Sequence, residues 1–177
     1  MAHFEEQLDS KEVFKGKIIS VHHDRVRQDT GRETLREVVC HRGAVVVLAV
    51  EGDEMWIVRQ FRYVTGQELI EVPAGKLEEG EDPRDAALRE LGEETGLTCD
   101  RLEFLGKIWP SPGVYNEIFH MYFATGLHHG DQHPDEGELI DAERLPLNRF
   151  DALVASGGIT DAKTICIVAM ARSRGLL

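Results

Sequence analysis

The stretch from Gly75 to Leu97, GKLEEGEDPRDAALRELGEETGL, constrains this chain more than any other. It opens as a glycine loop and closes as a short helix carrying Glu90, Glu93 and Glu94. Helical positions three and four apart share a face, so these carboxylates form one cluster. Ala87, Leu88 and Leu91 fall on an adjacent face suited to core packing. Like charges crowded in this way destabilise a helix unless a cation sits among them, and Arg89 neutralises only part of the charge. Hard divalent cations take oxygen ligands, and Mg²⁺ commonly binds through a few carboxylates plus substrate phosphates. The cluster therefore reads as a magnesium site, with Mn²⁺ as a substitute. Gly92 costs about 1 kcal/mol in a helix interior. A helix kept only for solubility has no need of it.

The helix is well punctuated. Asp82 suits the N-cap, Pro83 the first helical turn and Gly96 a left-handed C-cap. Further helices are expected over 147–155 and 161–173, separated by Ser156-Gly157-Gly158. Strands are expected over 13–26 and 34–41, with a turn near Asp29-Thr30-Gly31. The apolar run 43–50 suits a buried central strand, and 54–60 its hairpin partner. Residues 68–72, 101–109, 116–125 and 139–145 complete the set. Strands in groups with a helix between them predict an α+β fold, a sandwich of helices around a mixed sheet. Residues 1–42 are set apart as a small N-terminal β subdomain, and 43–177 form the main domain.

The 177 residues suit one such domain with an extension. The net charge of −12 argues against nonspecific nucleic-acid or anionic-membrane binding, which need a basic face. A phosphate substrate stays possible where cations supply the positive charge. No apolar run approaches membrane-spanning length, and MAHFEEQLDS lacks the regions of a signal peptide. Cys40, Cys99 and Cys166 are widely spaced and odd in number, which points to buried free thiols and a cytoplasmic location.

The 23-residue stretch resembles the Nudix hydrolase signature at Gly75, Glu81, Arg89, Glu90, Leu91, Glu93, Glu94, Gly96 and Leu97. The strings Arg59-Gln60-Phe61-Arg62, Glu71-Val72-Pro73-Ala74-Gly75 and Ser111-Pro112-Gly113 resemble the ADP-ribose pyrophosphatase branch. The resemblance implies a Nudix-type α/β/α sandwich and Mg²⁺-dependent hydrolysis of ADP-ribose to AMP and ribose 5-phosphate. It implies a metal held by Glu90, Glu94 and the Ala74 carbonyl. Glu93 would support that set, and Arg89 would orient a glutamate. In that branch a glutamate of the loop after the last long strand is the general base, and a nearby one helps hold a metal. Glu136 and Glu138 occupy those positions, and the two roles could be exchanged between them. Pro112 falls where the branch has its substrate-side proline, 15 residues past Leu97 (112 − 97). The resemblance also implies a homodimer whose N-terminal sections help bind substrate in the partner.

Arg62 and Arg36 are the candidate diphosphate ligands, since guanidinium offers a planar fork of donors matched to phosphate oxygens. Two other activities stay open: a Nudix enzyme for another nucleotide such as GDP-mannose, and a non-catalytic nucleotide sensor. The intact Glu90, Glu93 and Glu94 speak against the sensor. His22-His23 and His128-His129 are not taken as metal ligands, because neighbours on a strand face opposite ways. Trp56 and Trp109 are expected in the core rather than as base-stacking platforms, and Phe61 and Tyr63, beside Arg62, in the core with adenine contact as the alternative.

Overall fold

The computed structural model describes residues 3–134 and 137–177. It divides the chain into two compact units, 1–43 with 109–118, and 44–108 with 119–177.

The first unit is a three-stranded antiparallel sheet in the order β1 (Glu5–Lys15), β2 (Ser20–Gln28), β3 (Glu33–Cys40). The segment expected as one strand over 13–26 is broken by a turn in which Gly16 N–H donates to the Ile19 carbonyl at 2.8 Å. Strand β1 is not expected from sequence. EEQLDSKEVFK is charged and exposed almost throughout, so no apolar alternation marks it. Register comes instead from polar pairs across the sheet: Arg25 donates to Asp9 at 2.9 Å and Gln7 to Asp24 at 3.0 Å. The segment 109–118 joins this unit through an isolated bridge between Val39 and Tyr115. There the Val39 N–H donates to the Val114 carbonyl at 2.8 Å.

The second unit is built on a mixed sheet of β4 (Ala44–Glu51), β5 (Glu54–Arg62), β6 (Gln67–Glu71), β7 (Ala74–Lys76), β8 (Leu97–Ile108), β9 (Phe119–His129) and β10 (Ile140–Pro146). The path runs β10-β5-β4-β9-β8, with β6 on β5 and β7 on β4. The β4–β9 pair is parallel and the others are antiparallel. Three helices complete it: α1 (Pro83–Thr95), α2 (Leu147–Ala155) and α3 (Ala162–Ser173).

Strand β4 explains the layering. Successive side chains point to opposite faces of a sheet. Val46, Leu48 and Val50 join one core with Phe150, Ile167 and Val168 of α2 and α3. Val45, Val47 and Ala49 join a second core with Ala86, Ala87 and Leu91 of α1. A strand buried on both faces must be apolar at every position, which is why 43–50 reads as a continuous run. The result is the expected α/β/α sandwich with a mixed sheet.

Some aromatic expectations fail. Trp109 is 53% exposed, Phe61 60% and Tyr63 90%, so none of them is a core residue. Phe61 lies near the end of β5 and Tyr63 in the turn that follows, where burial gives way to exposure. Trp56 does pack against the α1-side core. Leu88 is 37% exposed, and Ala86 takes its place beside Ala87 and Leu91. The three cysteines are free, as expected, and partly rather than fully buried. Among the described residues no helix is long and apolar enough to cross a membrane.

Candidate active site

Helix α1 begins and ends where its punctuation requires. The Asp82 side chain accepts from the Arg84 N–H at 2.8 Å. Gly96 adopts φ 71° and donates to the Gly92 carbonyl at 2.8 Å. This fixes the rotation of the helix, so Glu90 and Glu94 turn toward β7 while Leu91 enters the core.

Two backbone features receive those carboxylates. The Ala74 N–H donates to Glu94 Oε2 at 2.9 Å. At Gly75 the approach is closer still. A Cβ built there would lie 1.8 Å from Glu90 Cδ, so only glycine admits this carboxylate. Gly92 differs, since a Cβ there would meet nothing nearer than the Leu97 carbonyl at 3.8 Å.

Arg89 gathers the acidic groups around it. Its Nε and Nη2 donate to Glu81 at 2.8 and 3.0 Å. Its Nη1 donates to Glu90 Oε1 and to Glu93 Oε2, each at 2.8 Å. The bond to Glu81 above all pushes the Arg89 pKa upward, so the guanidinium is a fixed charge. Glu81 is in turn held below the usual carboxylate range by Arg89. Glu81 is a signature position whose structural role the sequence does not disclose. Here it anchors the arginine that orders the other carboxylates.

For Glu90 and Glu94 burial outweighs the bonds that Arg89 and the Ala74 N–H donate. Burial pushes Glu94 up to about 8, with the charges of Glu90 and Glu138 adding to the shift. Burial also raises Glu90, with Glu93 and Glu138 contributing. Glu138 thus stands close enough for its charge to reach both. Its loop is stitched to the end of α1: Gly130 N–H donates to the Gly96 carbonyl at 2.7 Å, and His133 N–H to the Glu93 carbonyl at 3.0 Å. Glu136, the candidate base, lies outside the described residues.

Crowded, half-desolvated carboxylates against a glycine backbone suit a hard cation, which would relieve their repulsion and accept their oxygens. The side chains do not stand as a closed ligand set. Among the described residues no three His, Cys, Asp or Glu groups converge closely enough to hold an ion. Arg89 occupies one oxygen each of Glu90 and Glu93, and the Ala74 N–H occupies one of Glu94.

Arg62 lies in the same unit and is paired. Its Nε and Nη2 donate to the two oxygens of Glu71 at 2.8 and 2.7 Å. That pairing raises its pKa, and the charge of Glu94 contributes. Glu71 also receives Lys163, whose ammonium lies 3.0 Å from Asp161 Oδ1. Asp161 caps α3 by accepting from the Thr164 N–H at 2.9 Å, and the Thr164 hydroxyl accepts from the Val72 N–H at 2.9 Å. No local pattern marks Glu71, Asp161, Lys163 and Thr164 as a group. They meet only through tertiary structure, and the capping signal at Asp161 is the one local hint.

Arg36 lies in the first unit, with its Nε donating to Glu5 at 2.9 Å. Pro112 is exposed in the first unit's turn, where Tyr115 N–H donates to the Ser111 carbonyl at 2.9 Å. The histidine pairs engage carboxylates separately: His128 with Asp100 at 2.8 Å, and His129 with Glu51 at 3.4 Å.

A mixed sheet between helices, with an arginine-ordered carboxylate helix against a glycine strand, is the architecture of the NUDIX domain. The NUDIX domain family matches residues 40–165, and the nucleoside diphosphate sugar hydrolase N-terminal domain matches residues 5–39. The chain belongs to the Nudix family and is a pyrophosphohydrolase of that family. It is 39% identical to an ADP-ribose pyrophosphatase of Bacillus subtilis (strain 168) over 168 residues, covering 93% of this chain and 91% of the relative. It is 38% identical to a methanol dehydrogenase activator of Bacillus methanolicus over 169 residues, with the same coverages of 93% and 91%. The crystal structure of an ADP compounds hydrolase superposes with a TM-score of 0.84 at 21% identity, covering 98% of this chain and 97% of that one, a likeness of fold. Hydrolases of this family generally use a divalent metal ion.

Proposed function

We propose that the protein hydrolyses the diphosphate bond of ADP-ribose to AMP and ribose 5-phosphate. The observation that carries this reading is the pair of half-buried Glu90 against Gly75 and buried Glu94 on the Ala74 N–H, with Arg62 close enough for its charge to act on Glu94. The extended similarity to an ADP-ribose pyrophosphatase supports the choice of substrate.

Glu90, Glu94, Glu138 and the Ala74 carbonyl would hold the divalent ion, with Mg²⁺ the first choice and Mn²⁺ a substitute. When bound, that ion neutralises the diphosphate and makes an attacking water more acidic. Arg89 keeps Glu90 and Glu93 oriented through fixed hydrogen bonds. Arg62 binds a phosphate oxygen. Glu136 accepts the proton of the water that attacks phosphorus. Chemistry of this kind relies on positioning and electrostatics, and no covalent enzyme nucleophile is required.

The working enzyme in this proposal is a cytoplasmic homodimer. The N-terminal β subdomain, residues 1–42, provides dimer contacts and brings Arg36 to the partner's substrate, and Pro112 borders the substrate. The match of residues 5–39 to a domain of nucleoside diphosphate sugar hydrolases supports a substrate-linked role for this section.

The test is a hydrolysis screen with product analysis over ADP-ribose, GDP-mannose and nucleoside triphosphates, with and without Mg²⁺. ADP-ribose should give the highest kcat/KM, and activity should vanish in chelator. A clear preference for GDP-mannose or for a triphosphate would overturn the substrate assignment. Full turnover in chelator would overturn the metal role.

A further inference from the structure

Glu71 is 1% exposed and is held by two cations of unequal standing. Lys163 is 12% exposed and is anchored at a second point by Asp161, itself fixed as the cap of α3. Arg62 is 35% exposed and has Glu71 as its carboxylate partner among the described residues. Burial alone would push the Glu71 pKa up, yet Arg62 and Lys163 together hold it below the usual carboxylate range. The carboxylate is therefore charged.

A buried carboxylate stripped of its only cation is strongly destabilised. With one counter-ion, an arginine would be unable to leave Glu71 for a substrate without exposing that penalty. With two, the more exposed cation is free to exchange. We infer that Lys163 is the permanent counter-ion of Glu71, a positioning residue that allows Arg62 to transfer its guanidinium from Glu71 to the diphosphate of the substrate. This rests on the ADP-ribose reading above and assigns a role to a residue that touches no substrate. Glu71 becomes a parking site that holds the planar Arg62 fork in place until a phosphate replaces the carboxylate.

The experiment measures KM and kcat for ADP-ribose in the full chain with Mg²⁺, beside thermal melts. Lys163→Met should raise KM about tenfold or more with kcat changed less than about threefold, because a phosphate clamp acts on ground state and transition state alike. Adding Glu71→Gln to Lys163→Met should bring KM back near the wild-type value, since no buried charge then retains Arg62. Glu71→Gln alone should leave KM at or below wild type, and this variant decides the matter if Lys163→Met does not fold. A KM unchanged in folded Lys163→Met would overturn the proposal. So would a double variant whose KM stays high, or a KM in Glu71→Gln as high as in Arg62→Ala. Failure of the wild type to hydrolyse ADP-ribose would strike the functional reading instead. Normal wild-type turnover with an unmoved KM in Lys163→Met would strike the counter-ion role alone.

Discussion

The carboxylate of Glu90 fills the space that a side chain at residue 75 would need, with Glu90 Cδ 1.8 Å from where the Cβ would stand. Glycine at this position is thus a shape requirement set by a residue on another element. Gly75→Ala should push the Glu90 carboxylate away from β7. A misplacement of about 1 Å in a catalytic group can cost about 10²-fold in rate. Turnover of the variant should fall by at least that order, with a melting temperature showing a folded protein. Near-normal kcat would show that Glu90 need not lie against β7.

Gly92 provides the contrast within the same helix. A Cβ there has room, so the residue carries the helical cost of glycine without a steric reason. Gly92→Ala should stabilise the protein by about 1 kcal/mol in denaturant unfolding. A loss of stability would reveal a packing demand at this position.

Metal-free protein should lose stability as pH rises from near 5 to near 8. Glu94 sits at about 8 when folded, against 4.5 for an ordinary glutamate. Between those values the folded state holds a proton that the unfolded state has released, so stability is greatest below the lower value and declines toward the upper one. One such group gives a slope of at most about 1.4 kcal/mol per pH unit. Glu90, also raised, acts in the same direction. Glu94→Gln should flatten the slope, and it should lower the hydrolysis rate by orders of magnitude because an anionic ligand is lost. Saturating Mg²⁺ should also flatten the slope in the wild type. Stability that climbs between pH 5 and 8 in chelator would contradict this reading of Glu94.

The loop acids separate by kinetics. Glu136→Gln should lower kcat by about 10²–10⁴-fold with KM nearly unchanged, as loss of a catalytic base does. Glu138→Gln should shift the Mg²⁺ concentration needed for half-maximal rate, since its charge reaches Glu90 and Glu94. Exchanged phenotypes would assign the base to Glu138.

What the sequence discloses depends on how local the cause is. Asp82, Pro83 and Gly96 punctuate α1 through contacts within a few residues, so the helix and its carboxylate face are readable in advance. The apolar run of β4 is readable because both faces are buried. Strand β1 is not, because its pairing with β2 depends on polar partners in another segment. Strand β7 spans three residues, too few for any pattern. Trp109, Phe61 and Tyr63 are exposed, and composition does not encode which aromatic residues stay outside the core. Arg62 is visible as a candidate, whereas the Lys163 that shares its carboxylate partner Glu71 comes from a position 92 residues away.

That separation bears on how the site comes into being. The signature helix is complete by residue 95, yet the Val72 N–H, two positions before Ala74, waits for the Thr164 hydroxyl 92 residues later. Contacts of such long sequence separation form slowly, because a large loop must close first. In a growing chain the acidic helix would emerge well ahead of the Thr164 hydroxyl. A nascent chain ending before α3 would carry the entire Nudix signature while the backbone before Ala74 lacks that tie. The backbone that leads into this short, contiguous motif therefore takes one of its anchors from a helix far outside it.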